Sequence, residues 1–307
     1  QPQWTKSREN MIQGLFHTNQ VSYVGCQQAK KIYHYPIHSS VSRLEGYVNC
    51  PFAHFIKYGL RPKQLKKYKV EAPDIGELFH SSISLFTEEL RKERLDWSKI
   101  DRQTSEGMIE KIIDEMVPQY GGGVFQSTYR YQYLVKRLKR VSKRAIWTLT
   151  SHFQKGDFKL LGHEIIFGRG GQFPAIEIHL SDGSKVYLEG RIDRVDILEE
   201  EEGDYVKIID YKSGSQDFHL SDVYHGLNLQ LMVYMGALLE HSYFSRKKKR
   251  KPAGVFYFKI DDPMIQSDEK IVEKAEEEIA KKLKLKGLVL KDTNIVRAMD
   301  REIDRQS

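Results

Sequence analysis

Cysteine is scarce. Cys26 and Cys50 are the two in 307 residues, too few for a disulfide framework and suited to a reducing compartment. Long apolar runs are missing as well. The most apolar stretch, Leu227 to Leu239, is short and carries Asn228 and Gln230, which argues against a membrane span. No secretory leader pattern opens the chain, and the two cysteines suit a reducing cytoplasm, which is the expected location. The first residue is Gln1 rather than Met, and the chain reads as a segment of a longer polypeptide. There is no internal repeat and no long low-complexity tract. A Gly-x-x-x-x-Gly-Lys-Ser/Thr phosphate loop is absent too, so any ATP dependence would come from outside these residues.

What is present is charge, with a bias. Lys and Arg number 49 against 42 Asp and Glu, for a net charge of +7 and a pI near 9.1. At 40% hydrophobic and 30% charged residues the composition is that of a globular chain of one large domain or two small ones. The positive surplus points to a polyanionic partner.

Residues 1–37 read as the tail of a preceding region, and 38–307 as one domain. Ser42 with Glu45 three residues on has the capping-box pattern. Pro51 should open a helix to about Tyr58, with Gly59 as its stop. Helical spacing predicts a helix from near Asp74 past Leu90, and others over 105–118 and 129–150, separated by Gly121-Gly122-Gly123. The grammar then changes. Runs rich in β-branched and aromatic residues predict strands over 160–167, 175–180, 186–198 and 205–212. A helix over about 221–241, a strand over 254–260, a charged helix over 268–285 and a short ending complete an α/β chain. Two basic segments could meet phosphates: the run Arg246–Lys251, and the helix around 136–144, preceded by Tyr129, Tyr131 and Tyr133.

Chemistry concentrates in Gly190-Arg191-Ile192-Asp193-Arg194-Val195-Asp196 and Ile208-Ile209-Asp210-Tyr211-Lys212-Ser213-Gly214. If Glu199–Asp204 is a hairpin turn centred between Glu201 and Glu202, Asp193 and Asp210 face each other on one antiparallel ladder. Alternation then puts Lys212 on the face of Asp210 and sends Asp196 to the other face, which discounts it as a ligand. An Asp-x-Lys alone is most often a surface ion pair. Here Ile192, Val195, Ile208 and Ile209 make the strands central, where unpaired acids are rarely tolerated. Two carboxylates and an ammonium in such a place suit Mg²⁺ and phosphodiester chemistry. By residue type alone, His80 stands open between packing residue and ligand. Gln230 and Tyr234 share a helix face and read as core-edge residues.

Acid, then Asp-x-Lys after a strand, then a helix with Gln230-x-x-x-Tyr234, resembles the RecB-like branch of the PD-(D/E)XK nuclease superfamily. Gly76-x-x-Phe79-His80 resembles the helical histidine motif of that branch. Ser40–Glu45, Cys50-Pro51-Phe52-x-His54-Phe55, Glu71–Gly76, Pro252–Phe258 and Asp262–Ser267 extend the resemblance to the B subunits of AddAB-type helicase–nucleases, over about residues 30–300. The resemblance implies a restriction-endonuclease-like α/β core, a central mixed sheet flanked by helices, with extra N-terminal helices. It implies a metal-dependent DNA exonuclease module of a double-strand-break-processing enzyme, acting on a single strand delivered by a motor, beside an AddA-like subunit. His80, Asp193 and Asp210 would hold Mg²⁺, or Mn²⁺ in its place, with the Tyr211 carbonyl as a further ligand and Lys212 as catalytic lysine. Gln230 and Tyr234 would support the site or position DNA, and Glu164 matches a less regular acidic position. Cys50 would ligate a [4Fe–4S] cluster with three cysteines near the family's C-terminus, before which this chain ends. A stand-alone exonuclease of the CRISPR-associated type and a catalytically silent DNA-binding module are the alternatives. The flanking motifs oppose the first, and intact Asp193, Asp210 and Lys212 oppose the second.

Overall fold

The computed structural model describes residues 2–16, 18, 23–63, 69–214, 217–240, 249–260, 262, 278–279 and 281–303. Two helices come first: α1 (Pro2–Leu15), whose described side chains are exposed, and α2 (Cys26–Tyr33). A strand that the sequence pattern does not announce, β1 (Ile37–Ser40), leads into α3 (Val41–Asn49), α4 (Pro51–His54) and a π-helical turn, Phe55–Leu60. The helix starts and stops differ from expectation here. Ser40, not Ser42, caps α3, because β1 holds Ser40 in extended backbone and its Oγ accepts the Arg43 N–H at 3.2 Å. Gly59 does not stop the helix that starts at Pro51. A Cβ there would meet the Phe55 ring at 3.0 Å and Ile32 at 3.2 Å, so the glycine is a packing site, and the turn ends on left-handed Arg61.

Three long amphipathic helices follow: α5 (Ala72–Lys92), α6 (Arg102–Met116) and α7 (Tyr129–Lys155). Glu71 and Asp74 cap α5 reciprocally, which starts it two residues before the expected Asp74. Gly121–Gly123 lie inside a 3₁₀ stretch, Val117–Gln126, which joins α6 to α7.

β2 (Lys159–Phe167), β3 (Ile176–His179), β4 (Lys185–Leu198) and β5 (Asp204–Lys212) agree with the expected strands to within one residue. The single helix expected next is two, α8 (Leu220–Tyr224) and α9 (Gln230–Glu240), because Gly226 turns the chain at φ 74°. β6 (Arg250–Lys259) starts earlier than expected, and its buried Arg250 donates to the Leu238 carbonyl at 3.1 Å. That end of the basic run is thus packed into the fold rather than offered to phosphates. Most of the helix expected over 268–285 lies outside the described residues. β7 (Leu285–Val289) and α10 (Thr293–Met299) stand where a plain ending was expected.

The seven strands form one mixed sheet in the order β1-β4-β5-β6-β7, with β2 and β3 also paired to β4. β4 and β5 are antiparallel, with Arg194 opposite Ile209 and Val195 opposite Ile208, the register expected from the Glu201–Glu202 turn. β5 and β6 are parallel, and α9 lies in the connection between them. Alternation then divides the core between the two faces. Ile209, Tyr211, Phe256 and Phe258 pack with α5, α6 and α7, while Val195, Ile208, Val255 and Tyr257 pack with Leu231 and Leu238 of α9. Each such buried side chain contributes about 1.5–3 kcal/mol, so the sheet is clamped from both sides.

Candidate metal and catalytic site

β4 and β5 part company one step past the Arg194–Ile209 pair, and Asp193 and Asp210 stand at the opening. A cleft of about 450 Å³ forms there, bordered by His80, Asp193, Asp210, Lys212, Gln230 and Tyr234. The expected residues therefore come from four elements, α5, β4, β5 and α9, and meet in one place.

Asp193 is buried, and its Oδ2 accepts the Tyr211 backbone N–H at 2.7 Å. His80, one α5 turn beyond Gly76, brings Nδ1 to 3.4 Å from the same Oδ2. Among the described residues this Nδ1 is buried with no hydrogen-bond partner. Burial alone would push the imidazole down, but Asp193, Asp210 and Glu164 together outweigh it and raise its pKa. Glu164 of β2 holds a left-handed φ of 50°, a strained backbone for a residue with a Cβ. Its carboxylate is raised in pKa, first by burial, and Oε2 pairs with Arg191 Nε at 2.7 Å. His80, Glu164 and Asp193 each offer a ligand atom, and these atoms all lie within 4.8 Å of one another.

Asp210 is used differently. Its Oδ2 lies 2.6 Å from Lys212 Nζ, a buried ion pair. Burial, and then the Asp193 charge, pushes Asp210 up to about 7. Lys212 Nζ also donates to Gln230 Oε1 at 2.8 Å, and Gln230 Nε2 donates to the Tyr234 hydroxyl at 2.9 Å. The Tyr234 ring meets Phe167 edge-on, and both rest on Gly190, where a Cβ would come within 2.6 Å of Phe167 and 3.1 Å of Tyr234.

Asp196 goes to the opposite face. Arg194 clasps it through Nε at 2.7 Å and Nη2 at 2.8 Å, and Lys207 adds a contact at 3.4 Å. This group is fully buried under α7, with the Arg194 guanidinium over the Phe153 ring.

One participant has a different role from the one its sequence position suggests. Glu45 is no capping-box partner of its own helix. Its Oε1 accepts the backbone N–H groups of Leu229 at 2.7 Å and Gln230 at 3.0 Å, so α3 caps α9 at the residue that holds Lys212. Ser42 and Glu45 are close enough in sequence to imitate a local cap. Nothing local signals a partner in α9.

The Glu164 and Asp193 carboxylates with the His80 imidazole, whose buried Nδ1 has no hydrogen bond, form a donor set that fits a divalent cation. The iron–sulfur reading fits less well within these residues. Cys50 caps α4, its Sγ accepting the Ala53 N–H at 3.4 Å, and Cys26 is exposed. Two thiols cannot complete a four-thiolate site.

A sheet opening with an acid on one strand, Asp-x-Lys on the next and a histidine from a covering helix is a candidate metal site of the kind the PD-(D/E)XK resemblance implies. Residues 38–305 match the family model of the PD-(D/E)XK nuclease superfamily. The chain belongs to that superfamily. It is 57% identical over 308 residues to the B subunit of the ATP-dependent helicase/deoxyribonuclease of Alkaliphilus metalliredigens strain QYMF, covering 100% of this chain and 27% of that protein. Proteins of the same name from Caldanaerobacter subterraneus and Clostridium tetani are 44% and 45% identical over 99% of the chain, covering 26% and 27% of their own lengths. The chain thus spans about a quarter of the length of these curated relatives. No helix among the described residues is long and apolar enough to cross a membrane.

Proposed function

We propose that residues 38–307 are the exonuclease module of a helicase–nuclease B-type subunit, with 1–37 joining it to a preceding region. It would hydrolyse phosphodiester bonds of a single DNA strand during double-strand-break repair in the cytoplasm, alongside an AddA-like motor protein. One observation carries this reading: His80, Glu164 and Asp193 converge within 4.8 Å beside the Asp210–Lys212 pair. His80, Asp193, Asp210 and the Tyr211 carbonyl would hold Mg²⁺ or Mn²⁺, with Glu164 as a further acid. A divalent ion there would polarise the phosphodiester and acidify water.

The chain's own groups do the rest. Lys212, fixed between Asp210 and Gln230, offers a proton to orient an attacking water or to balance charge developing on the phosphate oxygens. Gln230 and Tyr234 keep that ammonium aimed. The relatives are named as parts of a two-activity enzyme, which supports a DNA substrate and a separate motor. Any cluster at Cys50 would need thiolates beyond the two in this sequence.

Cleavage of a labelled single strand with and without chelator tests the reading. Asp210→Ala and Lys212→Ala should each lower the rate by about a hundredfold or more, with folding and strand binding retained. Near wild-type cleavage by Asp210→Ala in Mg²⁺ would overturn it.

A further inference from the structure

The cations of α7 are not equivalent. Lys139 pairs with Glu110 and Asp114, and Lys143 with Glu110, so α6 neutralises that side of the helix. Arg137, Arg140 and Arg144 converge instead on one carboxylate, Asp262. Three guanidiniums against one acid leave a positive surplus, and among the described residues no second acid pairs with them.

The tyrosines before them sort in the same way. Tyr131 turns inward, its ring against Phe125 and its hydroxyl accepting the Val70 N–H at 3.4 Å. Tyr129 and Tyr133 turn outward, 90% and 58% exposed. Spacings of four, four, three and four residues place Tyr129, Tyr133, Arg137, Arg140 and Arg144 on one helical stripe. At 1.5 Å per residue the stripe is about 22 Å long. Beside Arg137 a groove of about 290 Å³, walled by Ile75, Leu134, Leu138 and Ile260, reaches Ser213. Ser213 also borders the cleft that holds Asp210 and Lys212.

We propose that this stripe is a track for single-stranded DNA at the mouth of the site, an inference that rests on the nuclease reading above. Bases stack on Tyr129 and Tyr133, and phosphates take the donors that Asp262 leaves on the three arginines. A single strand is the fitting occupant because stacking needs unpaired base faces, while guanidiniums read phosphate without regard to sequence. Asp262 competes with the strand for the arginine forks.

The test is binding of a fluorescent oligothymidylate to the full chain in chelator, where cleavage cannot interfere, across a range of salt. Arg137→Ala/Arg140→Ala should weaken binding and make the log–log salt slope shallower by about 1.4, the value for two lost phosphate contacts on a single strand. Tyr133→Ala should weaken binding about fivefold or more, whereas Tyr133→Phe keeps it, because stacking needs the ring and not the hydroxyl. Asp262→Asn decides between a track and a structural clamp. A track gains affinity when the competing carboxylate is neutralised. A clamp loses affinity, as it does in the arginine variant, and that result overturns the proposal. Unchanged affinity and slope in the arginine variant overturn it too, as does loss of oligoglutamate binding with DNA binding intact, which would mark an acidic-peptide surface. Wild-type cleavage in Mg²⁺ is scored separately. Cleavage with no effect of these variants refutes the track alone, and binding without metal-dependent cleavage refutes the nuclease reading alone.

Discussion

Asp193 and Asp196 lie three residues apart on β4, and the pleat of the strand gives them different tasks. Asp193 opens onto the cleft, and Asp196 lies in the grip of buried Arg194. Neutral isosteres should separate the two. Asp193→Asn should remove cleavage with little change in a urea melt. Asp196→Asn should leave the cleft residues in place but destabilise the fold by about 3–5 kcal/mol, because it strands a guanidinium in the interior. Equal melting of the two variants would contradict the assignment. This division was legible beforehand, since parity along a strand is arithmetic once the hairpin register is known. Glu164 was less legible, because it reaches His80 and Asp193 through a left-handed backbone that no local pattern announces.

Elements were legible where their signal is internal. The bounds of β2 to β5 followed from runs of β-branched and aromatic residues, and α5 and α7 from apolar spacing. Boundaries failed where a distant part of the chain sets them. α9 begins at Gln230 because Gly226 turns the chain and because Glu45 of α3 supplies the caps for Leu229 and Gln230. Loss of an N-cap acceptor costs about 0.5–2 kcal/mol. Glu45→Ala should therefore let the start of α9 fray, free Gln230 from Lys212, and slow cleavage by about threefold to thirtyfold with metal-free strand binding unchanged. Glu45→Gln keeps one carbonyl acceptor and should recover much of the rate. A melt shift with no loss of rate would make Glu45 structural only.

For the whole molecule, acid is the vulnerable direction. His152 of α7 is half-buried against Phe258 of the sheet with its Nδ1 buried, and desolvation first, then Arg194 and Lys207, lowers its pKa from 6.5 to about 3. Asp196 opposes them without cancelling them. The unfolded chain takes up this proton as pH falls below about 6.5, and the folded chain does not until about 3. Stability tied to His152 is therefore complete above pH 6.5 and drains away on acidification. In urea melts the wild type should lose ground to His152→Leu between pH 6.5 and pH 4, and parallel curves would refute this. Such layering of charge beneath the sheet was not readable in advance, because it depends on which helix covers which face. The sheet also carries a notch. At Gly190 a missing side chain makes room for Phe167 from the strand of Glu164 and for Tyr234 from the helix of Gln230. The arm that carries Glu164 and the arm that aims Lys212 therefore lean on the same square ångströms of backbone. Neither can be retuned alone, and changes made in the two arms should combine non-additively.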